Sequence, residues 1–393
     1  VSHPDVVVAG GGAIGCAAAR ALALAGADVE VIDRGVPGRG ATAAAAGMLA
    51  PWSEAGGHGA FLEMGRRSLA AYPEFARALL EESGRDIGLD LGGKLDVAFD
   101  PDEARDLRAA AEAVEGTLEW VEADELLRLE PDLAEGAVGA VWSPGEGSVD
   151  SRRLGEALWI AAARAGARFR LGSAAAEVAP ALGGGVIVRL ADGASITAGT
   201  LLVAAGAWSS GIAGLSAPPV RPVRGQMASL RTGDGPRHVV YSRRGYALRR
   251  SATLALVGAT EEEAGYDDRT TAAGVASVLS DWGRLFPSCA DAPLAAAWSG
   301  LRPATPDGLP IIGPSTVWPD VWFATGHYRN GILLAPETAR LCAAGLLEGA
   351  APPAAFAADR FSRRKDAAAD PPGDPAPDGP ERPSESAATP STG

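Results

Sequence analysis

Cysteine is scarce in this chain. Cys16, Cys289 and Cys342 are the three among 393 residues, too few and too scattered for a disulfide framework. The four histidines (His3, His58, His238 and His327) share no metal-ligand spacing, and neither C-x-x-C nor H-E-x-x-H occurs, so no metal site is expected. Basic residues are in deficit: 35 Lys and Arg stand against 49 Asp and Glu, for a formal net charge of −14. That balance argues against nucleic acid or an anionic membrane as a main partner. It would not draw in an anionic substrate from a distance either, so a carboxylate has to be caught locally. No apolar run is clean enough to span a bilayer. Ala13-Ile14-Gly15-Cys16 faintly suggests a lipoprotein cleavage box. However, the residues ahead of it carry Asp5 and no Lys or Arg, and glycines break the apolar run, so a cytoplasmic protein is the default expectation.

What is plentiful is glycine, 51 residues of it, in a chain that is 47% hydrophobic and 21% charged and long enough for two full cores. The first glycines carry the strongest signal. Asp5-Val6-Val7-Val8-Ala9 reads as a short buried strand running into Gly10-Gly11-Gly12-Ala13-Ile14-Gly15, a match to GxGxxG at Gly10, Gly12 and Gly15. A helical pattern follows from Ile14 to Ala25, then a strand, Val29 to Ile32, that closes with Asp33. The glycines allow a tight turn, close approach of backbone to a pyrophosphate and close helix–strand packing. The helix start offers unpaired N–H groups, and Asp33 lies where an acid can take ribose hydroxyls. The motif alone is common, but strand, turn, helix, strand and acid in order call for a dinucleotide. They do not separate NAD from FAD.

Downstream, Gly35 to Trp52 reads as a coil whose small residues let the backbone lie against something flat, and Ala50, Pro51 and Trp52 are candidates for its entrance. Two helical segments are expected between His58 and Glu82, a strand at Lys94–Phe99, and helices near Pro101–Glu115 and Ala123–Leu129. A helix running to Ala165 has Asp150 or Ser151 as its N-cap. Strand-like alternation from Phe169 ends in Leu201-Leu202-Val203-Ala204-Ala205-Gly206-Ala207-Trp208, a second buried strand entering a glycine turn. It suggests that the chain returns to the nucleotide domain. Residues 220 to 298 are strand-rich with a helix near Thr271–Leu285, and a last helix spans Gly331 to Leu347. Beyond residue 365 the chain has no aromatic residue, Leu, Ile, Val or Met, and reads as a disordered acidic tail.

Between Trp298 and Pro336, Arg302 and Arg329 stand among Gly, Pro and apolar residues, where a cation needs an anionic partner. Arginine's planar fork matches a carboxylate in two parallel hydrogen bonds. On residues alone, Arg329 reads equally as a surface charge in a helix's first turn, and Tyr246 as a half-buried strand tyrosine.

The segments VVVAGGGAIG, ATAAAAGMLAP, VAAGAWS, VRPVRGQM, GATEEEAGYD, GLRPATPDGLPIIG and GHYRNGILLAP together resemble the D-amino acid oxidase family of flavoproteins, most closely its glycine oxidase branch linked to thiamine biosynthesis. The resemblance covers nearly all of residues 5–350. It implies an α/β fold, with a Rossmann-like FAD-binding domain and an α+β substrate domain whose mainly antiparallel sheet roofs the flavin. The implied division assigns 1–84, 148–220 and 299–365 to FAD, 85–147 and 221–298 to substrate, and 366–393 to the tail. It implies non-covalent FAD held by the Gly10, Gly12, Ala13, Ile14 and Gly15 turn with Asp33 and Arg34. Thr42, Ala43, Ala46, Gly47 and Met48 follow in the small-residue segment, then Val178, Ala205, Gly206 and Trp208. His327, Arg329, Asn330, Gly331, Ile332 and Leu333 complete the cradle, with His327 shaping the wall rather than exchanging protons.

For catalysis the resemblance points to Arg302 and Tyr246 as a carboxylate clamp, and to Arg329 as a second active-site arginine. The implied reaction is oxidation of glycine, or another small amine or D-amino acid, with O2 reduced to H2O2. The imine would hydrolyse or pass to the thiazole-forming enzyme of thiamine synthesis. Relatives often form tetramers. The alternatives on the same scaffold are a sarcosine oxidase or a D-amino acid dehydrogenase; from another class, a flavin-binding protein without activity.

Overall fold

Four consecutive apolar residues, Val6–Ala9, form a strand buried on both faces, the environment of a central parallel strand. The computed structural model describes residues 3–54, 59–113, 118–215 and 219–361, so the acidic tail, 366–393, lies outside the described residues. In it, Val6–Ala9 pairs in parallel with Val29–Asp33 on one side and Thr200–Val203 on the other. The six-stranded sheet runs Ile311–Pro314, Val321–Thr325, Thr200–Val203, Val6–Ala9, Val29–Asp33 and Arg168–Leu171. Its Ile311–Pro314 edge is antiparallel and the other pairs are parallel. The strand Thr200–Val203 therefore joins the same sheet as Val6–Ala9.

Alternation along the central strand separates two cores. Val6 and Val8 pack with Ala18, Leu22, Ala162 and Cys342 from the covering helices. Val7 and Ala9 pack with Val178, Val186 and Val188 of an antiparallel three-stranded sheet on the other face. Helix Ala13–Leu24 lies between helices Ser151–Arg164 and Gly331–Glu348. Asp150, rather than Ser151, caps the first of these two, accepting the Arg152 and Arg153 N–H groups. The expectation of two helical segments between His58 and Glu82 is corrected: one 25-residue helix, Gly59–Ser83, passes through Pro73, and His58 lies outside the described residues. Proline removes one backbone donor, and packing against Gly331–Glu348 and Ser151–Arg164 holds the helix together across it.

The second sheet has eight strands in the order Leu294–Ala304, Arg221–Arg231, Leu254–Gly258, Gly245–Ser251, Val239–Ser242, Lys94–Ala98, Gly139–Ser143 and Glu119–Glu122. It is antiparallel except where Val239–Ser242 meets Lys94–Ala98. The boundary expected at 298/299 falls inside Leu294–Ala304, which pairs with Arg221–Arg231 through Arg302 and Ala304. One face of this sheet buries Val240, Ala247 and Val257 against Val278, Trp282 and Leu285 of helix Ala272–Leu285. The other turns Met227, Tyr246 and Leu248 toward Ala46 and Met48 of the nucleotide domain. Among the described residues no helix is long and apolar enough to cross a membrane, and no cluster has a metal-binding set of ligands.

Candidate active site

The dinucleotide turn is built from positions where a side chain has no room. Gly10 has φ +113°, and a Cβ there would overlap the Ala204 carbonyl, while a Cβ at Gly15 would overlap the Gly10 carbonyl. The Asp33 carboxylate accepts the N–H groups of Gly11 and Gly35, each at 2.7 Å, which fixes the end of its strand against the turn. Helix Ala13–Leu24 has no side-chain cap of its own, and Thr42 Oγ1 accepts the Ala13 N–H from outside at 2.9 Å. These groups border a cavity of about 560 Å³, within the range of small-molecule sites. Gly10, Gly12, Ala13, Ile14 and Thr42 form one end of its wall; Arg34, Ala205, Gly206 and Trp208 form another. The Arg34 guanidinium lies 3.5 Å from the centroid of the Trp208 ring, a cation–π contact.

A second cavity of about 410 Å³ opens from the first, and Ala41, Ala45, Leu301, Tyr328, Arg329 and Ile332 line both. The segment read as coil between Gly35 and Trp52 is corrected here. It folds into short helices at Ala41–Ala44 and Pro51–Glu54 around a two-residue strand, Met48–Leu49, paired with Gly147–Ser148. The Trp298 indole N–H and the Arg250 guanidinium donate to the Ala44 and Ala46 carbonyls, so side chains from the roof hold this segment in place. Ala46, Gly47, Met48 and Asn330 face the second cavity.

Arg302, Tyr246 and Arg329 all face this second cavity. Arg302 Nη1 donates to the carbonyls of Thr260 (3.0 Å) and Arg224 (3.3 Å), and no carboxylate of a described residue lies within ion-pair distance of it. Gly225 makes room for its guanidinium, because a Cβ there would overlap it. Arg329 is different: its Nε and Nη2 reach Glu54 Oε2 at 3.0 and 2.9 Å. Glu54 is a site residue the sequence does not announce, since only the fold carries it across to Arg329. Tyr241 is another, stacked on Tyr246 with ring centroids 6.1 Å apart and 6° between planes. Tyr328 adopts a left-handed backbone, φ 48°, uncommon for a bulky residue and typical of functional turns.

Burial pushes the Tyr246 and Tyr328 phenols up to about 12, so both keep their protons near neutrality. His327 lines the first cavity, its Nε2 paired with Thr338 Oγ1 at 3.1 Å, and burial pulls it down to about 3. It is a neutral wall. Gly331 and Ile332 present the N-terminus of an 18-residue helix to the same cavity. Four expected contacts lie elsewhere. Gly15 lines neither cavity and serves the turn itself, packed under the Gly10 carbonyl. Val178 is buried between the sheets, with Ala174 and Ala175 at the cavity in its place. Leu333 packs into the helical core with Phe61 and Met64, and Ala43 is turned away, its carbonyl receiving Arg152 Nε. Strand or helix period aims the Val178, Leu333 and Ala43 side chains away from the cavity.

A glycine turn, two helix N-termini and an acid at a strand end fit a dinucleotide, and the second cavity against Ala45–Met48 fits its ring system. Comparison with known proteins agrees. The bifunctional protein ThiO/ThiG of Nostoc sp. is 36% identical over 349 residues, 88% of this chain, which spans only 53% of that relative's length. A glycine oxidase of Geobacillus kaustophilus is 36% identical over 352 residues, covering 86% of this chain and 92% of the relative. The crystal structure of glycine oxidase from Geobacillus kaustophilus superposes with a TM-score of 0.87 at 34% identity, covering 91% of this chain and 99% of that one. The family model described as FAD dependent oxidoreductase (DAO) matches residues 5–344, and the chain belongs to that family of FAD-dependent oxidoreductases.

Proposed function

We propose that this chain oxidises glycine, and small amines of similar shape, to the imine, with O2 as electron acceptor. The observation that carries the reading is Arg302: a guanidinium inside the second cavity, held by two backbone carbonyls and with no carboxylate partner among the described residues. A charge desolvated in this way is completed by an anionic ligand, and its fork takes a carboxylate in two bonds. Tyr246, protonated and stacked on Tyr241, has its hydroxyl on Met227 Sδ at 3.6 Å, a weak acceptor it would leave to donate to the same carboxylate. Arg329 is neutralised by Glu54, so it shapes the wall beside the substrate rather than competing for the carboxylate.

The dinucleotide turn, Asp33, Thr42 and the N-terminus of helix Gly331–Glu348 hold FAD, with no cysteine lining either cavity among the described residues, which supports non-covalent binding. FAD, when bound, supplies a two-electron acceptor for the substrate's Cα–H hydride. The chain's own residues orient: the clamp fixes the carboxylate, and so directs the Cα–H bond. No side-chain base is required once the amine is neutral, and His327, pulled down to about 3 with its Nε2 paired to Thr338, is too weakly basic to serve as one. Overall, glycine, O2 and water give glyoxylate, ammonia and H2O2 when the imine hydrolyses. Similarity to the ThiO/ThiG protein supports the other fate, hand-off of the imine to a thiazole-forming partner.

The test is anaerobic mixing of the FAD-loaded protein with glycine, following the flavin absorption band. Bleaching that reverses on admitting air is the expected result. A band that stays oxidised with glycine but bleaches with sarcosine, proline or a D-amino acid would move the substrate. A band unchanged by all of these would overturn the oxidase reading.

A further inference from the structure

Behind the Pro51–Glu54 turn lies a buried charged group that the clamp does not use. Lys94 and Asp96, 1% and 3% exposed, share one face of strand Lys94–Ala98; the Lys94 ammonium pairs with Asp96 and donates to Ser53 Oγ. Glu146, 5% exposed, follows strand Gly139–Ser143, and its Oε1 accepts the Trp52 N–H at 3.0 Å. Its Oε2 is buried with no hydrogen-bond partner among the described residues. Trp52 and Ser53 are thus both tied to the roof sheet. The next residue is Glu54, the one that holds Arg329 in the second cavity.

Three carboxylates (Glu54, Asp96 and Glu146) face two cations, Lys94 and Arg329, in this region. Glu54 and Asp96 each touch a cation, whereas Glu146 touches only an N–H. Burial raises the Glu146 carboxyl to about 7, with Lys94 and the Trp52 N–H working against it and Asp96 and Glu54 reinforcing it. Tyr241 and Trp52 present ring faces to Lys94, at 5.1 and 5.8 Å, and Asp90, across from Ser148, is exposed and engaged with the Gly92 N–H.

We propose that Glu146 is a positioning residue for the active site: it anchors the Pro51–Glu54 turn through the Trp52 N–H, and its gain or loss of a proton sets how strongly the cavity accepts a carboxylate. Ionised, it adds an uncompensated negative charge behind Glu54 in a region of low dielectric, which opposes a further anion at Arg302. Protonated, it removes that charge and keeps an oxygen for Trp52. The inference rests on the carboxylate clamp proposed above.

The test titrates the FAD-loaded protein with glycolate, which has glycine's shape and no titrating amine, and reads Kd from the flavin absorption between about pH 6 and about pH 8.5, where the ligand stays ionised. The wild-type Kd should rise at least about threefold across that range through the added Coulomb repulsion. Glu146→Gln, neutral with the acceptor kept, should hold the low Kd throughout. Glu146→Ala, with the acceptor gone, should bind weakly at both ends. A wild-type Kd that ignores pH would overturn the inference without any variant, as would a Glu146→Gln profile that copies the wild type. Failure of glycolate to bind at any pH would overturn the clamp and this inference with it; pH-independent binding overturns only the second.

Discussion

Arg302 and Arg329 share a cavity and differ in their partners, and that difference sorts their chemistry. Arg329 already has Glu54, while Arg302 has two carbonyl oxygens and space. Arg302→Ala should cost about 2–5 kcal/mol of carboxylate binding and collapse glycine turnover, with FAD retained. Absorbance of the purified variant and steady-state kinetics decide this, and retained turnover with glycine would remove Arg302 from the clamp. Tyr246→Phe takes away one hydrogen bond of about 0.5–1.5 kcal/mol, so kcat/KM should fall by about 2- to 10-fold. The Tyr241 stack supports the remaining ring, so Tm should change little. Neither arginine's role is visible from its sequence neighbours: the Glu54 carboxylate comes from a turn far away in the chain, and the Thr260 and Arg224 carbonyls come from other strands.

At the scale of elements, two glycines act as spacers between a backbone and what must lie against it. Gly15 lets helix Ala13–Leu24 start directly under the Gly10 carbonyl. Gly15→Val should abolish FAD uptake, read as a colourless protein with near-native far-ultraviolet dichroism. Gly225, on the strand paired with that of Arg302, leaves room for the guanidinium. Gly225→Ala should raise KM for glycine more than it lowers kcat, because the clamp is displaced while the flavin cradle stays intact. An unchanged KM would show that Arg302 tolerates the shift. Much at this level was legible beforehand, because local signals specify it: the 2-residue and 3.6-residue periods, a cap at Asp150 or Ser151, and the glycine turn. The two segments expected between His58 and Glu82 are one helix, since tertiary packing carries it through Pro73. The short helices at Ala41–Ala44 and Pro51–Glu54 were hidden, since each is too short to show a period.

At the scale of the whole molecule, two buried groups tilt stability with pH in opposite directions. His327 is held neutral at about 3, below its free value of about 6.5, so its contribution is complete above about pH 6.5 and is lost as pH falls toward 3. Glu146 is raised to about 7, above its free value of about 4.3, so its contribution is complete below about pH 4.3 and is lost as pH rises through 7. Glu146→Gln should therefore raise Tm relative to the wild type at about pH 8 and not at about pH 4.5, checked by thermal unfolding at both. An equal gain at both would mean that the carboxyl does not change its protonation in this range. The linear order of residues determined the nucleotide turn, the alternation of two sheets and the presence of two unusual arginines, because each is written in neighbours a few positions apart. Which arginine stays free, where Val178 and Leu333 point, and that Glu146 lies behind Glu54 were decided only by the tertiary structure, since burial and charge pairing depend on residues that meet in space and are distant in sequence.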